Sequence, residues 1–164
     1  MKLRCRPRVR GFRFEGSRDA RVPDPLRRLM RPGRVRAMLI CPSNPYVSIA
    51  PITSVPAVSA WLKSRSFPVV GVSPIVGGAA VKGPAAKIMR ELNAEPSALG
   101  IARHYGGLVD GWVIDRRDAR LARAITEEGK AVLVTDTIMS DRQKGAALGR
   151  RVIAFARSLA EKQD

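Results

Sequence analysis

Two short stretches of this sequence combine residue types that suit phosphate binding. In the first, Cys41-Pro-Ser-Asn-Pro45 follows an apolar run at residues 37–40 and precedes a segment with helical spacing. Ser or Asn before a helix accepts bonds from its first N–H groups, and Pro is tolerated at the first helical position. The pattern predicts a strand, a tight loop and a helix N-terminus. Uncovered N–H groups and the helix dipole would favour an anion there.

The second stretch, residues 69–84, has the same strand–loop–helix form. Its loop reads Ser73-Pro-Ile-Val-Gly-Gly78 and is followed by Lys82-Gly-Pro84. Glycines let a backbone approach phosphate closely, but paired glycines also simply reverse a chain. In the same way, Ser43 and Asn44 of the first stretch could serve only as a cap. We expect the two loops to form the lip of one anion site.

The other residues with chemical potential are isolated. His104 is the only histidine, and late in a predicted helix it could pack or act as an acid or base. Asp115 and Asp136 could recognise a metal or a hydroxyl, or could bond backbone in turns. The sequence has no Gly-x-Gly-x-x-Gly motif, no Walker loop and no convincing Ser-His-Asp, carboxylate-pair or metal-ligand spacing. The catalytic and metal-binding residues therefore stay unassigned.

The elements that position these residues alternate along the chain. Strands are predicted at 8–15, 36–41, 67–73, 109–115 and 131–136. Helices are predicted at 24–30, 45–64 with a break near 54–56, 84–92, 97–105, 118–128 and 141–161. This alternation predicts an α/β fold with a mostly parallel sheet and flanking helices, Rossmann-like but incomplete. Ligands of such sheets bind beyond the carboxyl ends of the strands, where both loops lie.

Composition bounds the class of protein. A chain of 164 residues with 45% hydrophobic residues is expected to form a single domain, spanning 1–164, with a buried core. No apolar run approaches the roughly 20 residues of a membrane span, and no signal-peptide core is present, so we expect a cytoplasmic protein with no membrane partner. Cys5 and Cys41 are expected to be reduced thiols, with Cys41 buried at a strand end.

The net charge of +16 is concentrated in residues 1–36, which are rich in arginine. A basic arm for nucleic acid is one interpretation. That arm has few aromatic residues for stacking and no known recognition motif, so nucleic acid is the less favoured partner. A basic surface that attracts anionic phosphate substrates explains the same charge.

Four stretches resemble a known family. They are Cys41-Pro-Ser-Asn-Pro-x-x-Ser-Ile-x-Pro-Ile52, Val72-Ser-Pro-Ile-Val-Gly-Gly-x-Ala-x-Lys-Gly-Pro84, Ala102-Arg-His-Tyr105 followed by Asp110-Gly-Trp-Val-Ile-Asp115, and Val134-Thr-Asp-Thr-Ile-Met139. Together they resemble the 2-phospho-L-lactate transferase family, and residues 4–16 resemble its middle region. The resemblance runs along essentially the whole chain in order.

The resemblance implies a reaction. A phospholactyl or phosphoenolpyruvyl group passes from a guanosine-diphosphate-linked donor to the terminal hydroxyl of the deazaflavin Fo, and GMP leaves. A divalent metal, normally Mg²⁺, assists, and the product is a precursor of coenzyme F-420. The positions that the resemblance marks as facing the substrate or nucleotide phosphate are Ser43, Asn44, Ser48, Ser73, Gly77, Gly78 and Lys82.

One departure from the family is large. Family members begin with a glycine-rich loop on a first strand, followed by acidic residues linked to Fo and metal binding, and this sequence resembles only their carboxyl-terminal half. We therefore expect a truncated form that is inactive alone, which either acts with a separately supplied amino-terminal half or represents a broken gene. Self-association as a homodimer is also expected. The alternative is a non-catalytic basic α/β module that binds nucleotide or nucleic acid.

Overall fold

The computed structural model describes residues 7–162, and a four-stranded parallel sheet organises them. The strands of the described part are, in chain order, β1 (Met38–Ile40), β2 (Val69–Val72), β3 (Ile75–Val76), β4 (Ala79–Ala80), β5 (Gly111–Asp115) and β6 (Ala131–Thr135). The main sheet has the order β1-β2-β5-β6, and β3 and β4 form a separate antiparallel hairpin.

The helices connect these strands. They are α1 (Asp24–Leu29), α2 (Ala50–Thr53), α3 (Pro56–Lys63), α4 (Ala85–Glu91), α5 (Ala98–Tyr105), α6 (Ala122–Glu127) and α7 (Arg142–Ala160). A π-helical turn (Pro45–Ile49) leads into α2, and two 3₁₀ segments, Gly106–Leu108 and Arg116–Leu121, flank β5. No helix among residues 7–162 is both long and apolar enough to cross a bilayer.

The sheet is covered on both faces, which explains why its central strands are apolar throughout. On one face, side chains of α4, α5 and α6 pack against Val69, Trp112 and Ile114. On the other face, α7 alone packs against Val70, Val72 and Val113 through its own Leu148, Val152 and Ala156. The long apolar stripe predicted for the tail helix is therefore the second layer of the fold.

A close contact in the core joins β2 to β5. Gly71 is paired in register with Trp112, and a Cβ atom added to Gly71 would lie only 2.6 Å from the indole Cζ3. Trp112 is itself almost fully buried and contacts the ring of Tyr105. Only glycine leaves room for the indole ring at this crossing, so the spacing of the two central strands depends on it.

A carboxylate holds the amino-terminal ends of the same two strands together. Asp110, just before β5, accepts hydrogen bonds from the Val69 N–H at 2.7 Å and from Arg65 Nη2 at 3.0 Å. The Arg65 guanidinium also donates to the carbonyls of Leu62 and Gly107. This network lies at the end of the sheet opposite to the two predicted loops, so its role is structural.

Most predicted elements are confirmed. The parallel α/β class, the break near residues 54–56, the Ser97 cap of α5 and the tail helix all occur as expected. The segment 118–128 begins as a 3₁₀ helix before becoming α6, and the β3–β4 hairpin was not predicted. Cys41 is exposed rather than buried because β1 is an edge strand, whereas Cys5 lies outside the described residues.

The strand predicted at residues 8–15 is wrong. Residues 8–14 form neither strand nor helix, and a turn follows at residues 15–19. The Val9 N–H donates to the Glu91 carboxylate of α4 rather than to a neighbouring strand. Phe12, which alternation placed on a buried face, stays 40% exposed and stacks on Tyr46. The alternating residues thus make separate contacts, a hydrogen bond from the Val9 N–H to α4 and ring stacking of Phe12 on Tyr46, and do not form a strand.

The Gly71–Trp112 contact gives a first prediction. Gly71→Ala should lower the free energy of unfolding by about 1–3 kcal/mol, because the added methyl group overpacks a core that cannot easily relax. Gly107→Ala is the matched control, since a Cβ there meets no atom within 4 Å, and its effect should stay within about 0.5 kcal/mol. Urea denaturation of both variants measures the difference, and equal midpoints would contradict the role of this contact.

The amino-terminal segment gives a second prediction. Val22 is buried against Val58 and Leu62 of α3, although the segment forms no strand. Deleting residues 1–36 should therefore lower stability by at least about 2 kcal/mol, the cost of exposing a buried aliphatic side chain and its partners. Deleting only residues 1–20 keeps Val22 and should cost less. A melting temperature unchanged by the longer deletion would show that the segment does not support the fold.

Candidate functional site

The first predicted loop is a helix cap. Asn44 Oδ1 accepts hydrogen bonds from the N–H groups of Tyr46 at 2.9 Å and Val47 at 3.2 Å, and the Asn44 carbonyl accepts from Ser48 N–H at 3.1 Å. The cap interpretation is thus confirmed for Asn44, and Ser43 is not the cap. The expectation of uncovered N–H groups at this helix start is wrong for Tyr46 and Val47, because the asparagine side chain already binds them.

Other polar groups remain available beside this loop. The hydroxyls of Ser43 and Ser48 make no hydrogen bond among the described residues, and Ser48 is exposed. Asn44 Nδ2 is buried and has no hydrogen-bond partner in the described part of the chain. A buried amide N–H without a partner costs free energy, so this group can gain from an acceptor placed next to it. The loop therefore offers side-chain donors rather than backbone donors.

The second predicted loop is built around a tight hairpin. Gly77 and Gly78 have φ values of 59° and 77° and join β3 to β4 as a two-residue turn, which requires positive φ at both positions. The buried Ser73 hydroxyl accepts from the Ile75 N–H and donates to the Ile75 carbonyl, so it shapes the bend before the hairpin. Lys82 follows the hairpin and is exposed. The chain-reversing role of the glycines is confirmed, whereas their phosphate role stays a prediction.

Asp118 is a residue of this site that sequence reasoning missed. Asp118 is only 4% exposed. Both of its carboxylate oxygens accept from the Gly77 N–H, at 3.1 and 3.0 Å. A carboxylate thus occupies the backbone donor that a phosphate would have used. Its position in the sequence could have indicated this role. Asp118 lies three residues beyond the end of β5, and β5 is next to β2, which leads into the hairpin.

Asp115 binds the loop after β6. Its carboxylate accepts from the N–H and the hydroxyl of Thr137 at 2.9 and 3.0 Å and from the Arg117 N–H at 3.1 Å. Burial opposes ionisation, but these three donors outweigh it and hold the pKa of Asp115 below its usual value. Asp136 is exposed and pairs with Arg116 at 3.1 Å. Asp115 therefore serves the turns at the strand ends, as one of its two interpretations predicted.

His104 belongs to a run of aromatic rings. Its imidazole lies 4.5 Å from the Tyr46 ring and 5.3 Å from the Tyr105 ring, measured between centroids. Desolvation by these neighbours lowers the pKa of His104. No carboxylate orients the ring among the hydrogen bonds of the described residues. The ring of His104 thus packs on the π-helical turn while the residue stays exposed, and its acid–base role stays a prediction.

The fold brings the two loops to one end of the sheet. They follow β1 and β2, which are adjacent and parallel, with Ile40 in register with Gly71. Helix α4 contacts both the π-helical turn and β4, so it spans the distance between the loops. Hydroxyls, one amide and one ammonium group thus lie at the same end of the sheet, and a shared phosphate site formed by them stays a prediction. The described residues offer no evident base for an attacking alcohol.

The described residues do not form a metal site. No group of three or more His, Cys, Asp or Glu side chains comes together within residues 7–162. The carboxylates nearest the strand ends are already engaged, with Asp115 on Thr137 and Arg117, Asp118 on Gly77, and Asp136 on Arg116. The metal-binding residues therefore stay unassigned by the structure as they were by the sequence.

Asp118 gives a third prediction. Asp118→Ala should lower the free energy of unfolding by about 1–3 kcal/mol, because it removes the acceptor that fixes the hairpin N–H. Asp136→Ala removes an exposed acid from the same end of the sheet and should cost less than about 1 kcal/mol. Denaturation curves compare the two variants, and faster amide exchange at Gly77 should accompany the first. Equal stabilities would mean that the buried carboxylate does not hold the hairpin.

Comparison with known proteins identifies a matching family. The profile described as "2-phospho-L-lactate transferase CofD" matches residues 5–155. The 2-phospho-L-lactate transferase of Methanopyrus kandleri is 38% identical over 158 residues, which cover 94% of this chain and 48% of that protein. The phosphoenolpyruvate transferase of Streptomyces griseus is 38% identical over 125 residues, covering 76% and 39%.

A third relative is matched over a similar share of its length. The 2-phospho-L-lactate transferase of Methanosarcina barkeri is 37% identical over 150 residues, covering 91% of this chain and 47% of the relative. The chain thus spans less than half the length of these relatives. Because the family profile covers residues 5–155 and relatives 37–38% identical match up to 94% of the sequence, the chain belongs to the 2-phospho-L-lactate transferase CofD family.

Proposed function

We propose that this chain forms part of a transferase that moves a phospholactyl or phosphoenolpyruvyl group to the deazaflavin Fo in coenzyme F-420 biosynthesis. The donor would be linked to guanosine diphosphate, GMP would leave, and the reaction would take place in the cytoplasm. The observation that carries the proposal is the family match along residues 5–155, which includes both loops at the ends of β1 and β2. The names of the relatives support both the phospholactyl and the phosphoenolpyruvyl group, so the choice between them stays open.

The proposed reaction requires charge neutralisation and positioning above all. The Fo hydroxyl oxygen forms a bond to the phosphorus that carries the 2-oxygen of lactate or enolpyruvate. The bond from that phosphorus to the bridging oxygen breaks, GMP leaves with that oxygen, and the hydroxyl proton passes to a base. Donors aimed at the phosphate oxygens stabilise the charge that develops. In this chain the donors would be the hydroxyls of Ser43 and Ser48, the Nδ2 amide of Asn44 and the Lys82 ammonium.

The position of Asp118 constrains where a phosphate can lie. Its carboxylate sits on the Gly77 N–H, so an anion at that backbone group would meet a like charge. Phosphate is therefore better placed toward Lys82 and the Ser43 side of the lip. Ser73 and the two glycines would contribute by shaping the hairpin that carries Lys82.

Mg²⁺ remains part of the proposed reaction, but no set of ligands for it is identified among residues 7–162. The carboxylates at the strand ends have hydrogen-bond or ion-pair partners, as set out above, and they do not fit a ready-made Mg²⁺ site. No step of the reaction is therefore assigned to a metal held by this chain. The acids that bind it, and the base for the Fo hydroxyl, would come from the rest of the transferase.

The second candidate function is a basic module that binds nucleic acid. Within residues 7–36 the arginines are exposed, and the ion pair recorded for them is Arg27 with Asp24. Such a surface attracts phosphodiester backbones in a salt-dependent way. A calorimetric titration in which a short RNA and a short DNA are tested beside guanine nucleotides distinguishes the two candidate functions.

Guanine-nucleotide binding gives the fourth prediction. Calorimetric titration with GDP and GMP, with and without Mg²⁺, should show weak binding that falls as salt is raised. Ser43→Ala and Lys82→Ala should each weaken it about tenfold, the effect of losing one charge-assisted hydrogen bond.

The matched controls are Ser64→Ala and Lys63→Ala. Both residues lie at the carboxyl end of α3, away from the loops, and should leave the affinity unchanged. Absence of heat for either nucleotide, or equal losses in the controls, would contradict the proposed site. Tight binding of RNA or DNA without nucleotide binding would favour the second candidate.

A further inference from the structure

A second cleft lies at the carboxyl ends of β5 and β6, against the first half of α7. It has a volume of about 570 Å³, which is within the range of small-molecule sites. Its walls come from residues 115–117 at the end of β5, from the loop between β6 and α7, and from one face of α7 that carries Lys144, Leu148 and Arg151. The two site loops follow β1 and β2, so this cleft belongs to the other half of the sheet.

The charged side chains that line this cleft are mostly basic. They are four cations and two acids, namely Arg116, Arg117, Lys144, Arg151, Asp115 and Asp136. The Asp115 oxygens already accept from Thr137 and from the Arg117 backbone N–H. Asp141, at the start of α7, adds a negative charge beside the cleft, 3.9 Å from Lys144 Nζ. With Asp141 counted, four cations still outnumber three acids, so the cleft favours an anion.

Two of the arginines converge on one carboxylate. Arg116 Nε lies 3.1 Å from Asp136 Oδ1, and Arg151 Nη1 lies 4.0 Å from Asp136 Oδ2. Arg151 Nη1 also donates to the hydroxyl of Thr135, which is buried at the end of β6. The three charged side chains are between 51% and 69% exposed, and ion pairs this exposed contribute little to stability. The two guanidinium groups are therefore placed for an oxyanion that can displace Asp136 at small cost.

The other two cations have no carboxylate in hydrogen-bond contact within residues 7–162. The Arg117 guanidinium makes no hydrogen bond or ion pair there, and Lys144 Nζ donates to Ser140 Oγ at 2.9 Å. Lys144 and Arg151 are seven residues apart, which is roughly 10 Å along the helix axis. A ligand with two linked phosphoryl groups can contact cations at both positions at once, whereas a single phosphate leaves part of this length unused.

We propose that this cleft binds a diphosphate group, either free or carried by a small molecule, at a site separate from the two loops. One phosphoryl group lies between Arg116 and Arg151 and displaces the Asp136 carboxylate. Lys144 and Arg117 neutralise the second phosphoryl group. Asp136 therefore competes with the ligand for the two arginines and lowers its affinity. The inference goes beyond the proposed function and does not depend on it.

The test is calorimetric titration of the whole chain with inorganic pyrophosphate, with inorganic phosphate as the comparison. Pyrophosphate should bind at least about tenfold more tightly, because it gains a further charge-assisted hydrogen bond. Arg116→Gln and Arg151→Gln should each weaken pyrophosphate binding about tenfold, since each removes one such bond. Arg150→Gln is the matched control, because it removes the same charge from the adjacent position of α7 outside the cleft, and its effect should stay below about twofold.

The competing acid gives the opposite sign. Asp136→Asn should strengthen pyrophosphate binding about two- to fivefold, because it releases both arginines from an exposed ion pair. Glu127→Gln removes an acid from the exposed Arg123–Glu127 pair of α6 and should leave the affinity unchanged. If Asp136 served only to hold the arginines in place, its substitution would instead weaken binding. Circular dichroism of each variant separates a loss of binding from misfolding.

Titration with GDP and ADP distinguishes the two sources of the diphosphate. Displacement of pyrophosphate by these nucleotides, with the same loss in Arg116→Gln, indicates a diphosphate carried by a nucleotide, whereas binding of pyrophosphate alone indicates a free one. Absence of heat for pyrophosphate, or an equal loss in Arg150→Gln, would overturn the proposal. So would a loss in Lys82→Ala as large as in Arg116→Gln, because binding would then lie at the loops. Pyrophosphate binding without guanine-nucleotide binding at the loops would retain this inference and contradict only the proposed function.

Discussion

The close crossing of Trp112 over Gly71 sets the spacing on which the β3–β4 hairpin depends. The indole fills the space that the Cβ of any residue other than glycine at position 71 would need. This contact fixes β2 against β5 on the α4–α6 face. On the opposite face, a Cβ at Gly111 would lie 2.7 Å from Leu159 Cδ1, so α7 is held equally close to β5. The hairpin follows β2 and Asp118 follows β5. The Asp118–Gly77 contact therefore requires the strands to keep this distance.

Local patterns predicted the features that depend on neighbouring residues in the chain. Ser97 caps α5, the tail helix follows its apolar stripe, and the break near residues 54–56 falls where Pro56 begins a new helix. The parallel sheet followed from alternation of such elements. The fold class was thus predictable because each element has its own capping and periodicity signals.

Features that depend on contacts between distant residues were not predictable. Residues 8–15 alternate like a strand, but Val9 bonds to Glu91, 82 positions away, and no sequence pattern specifies that partner. The donors of the two loops were expected to be free, yet Asn44 and Asp118 bind them. The loops and their residue types could be located from sequence, whereas the availability of each donor required the three-dimensional arrangement.

A short edge strand and occupied donors leave little free main chain near the first loop. Strand β1 has only three residues, with Arg36 shortly before it and Pro42 shortly after it, so few main-chain bonds can form along its outer side. Such a short edge resists non-specific pairing. Beyond the carboxyl end of the same strand, the backbone N–H groups of Tyr46 and Val47 are bound by the Asn44 side chain. Recognition of a phosphate there would therefore rely on side chains rather than on the backbone.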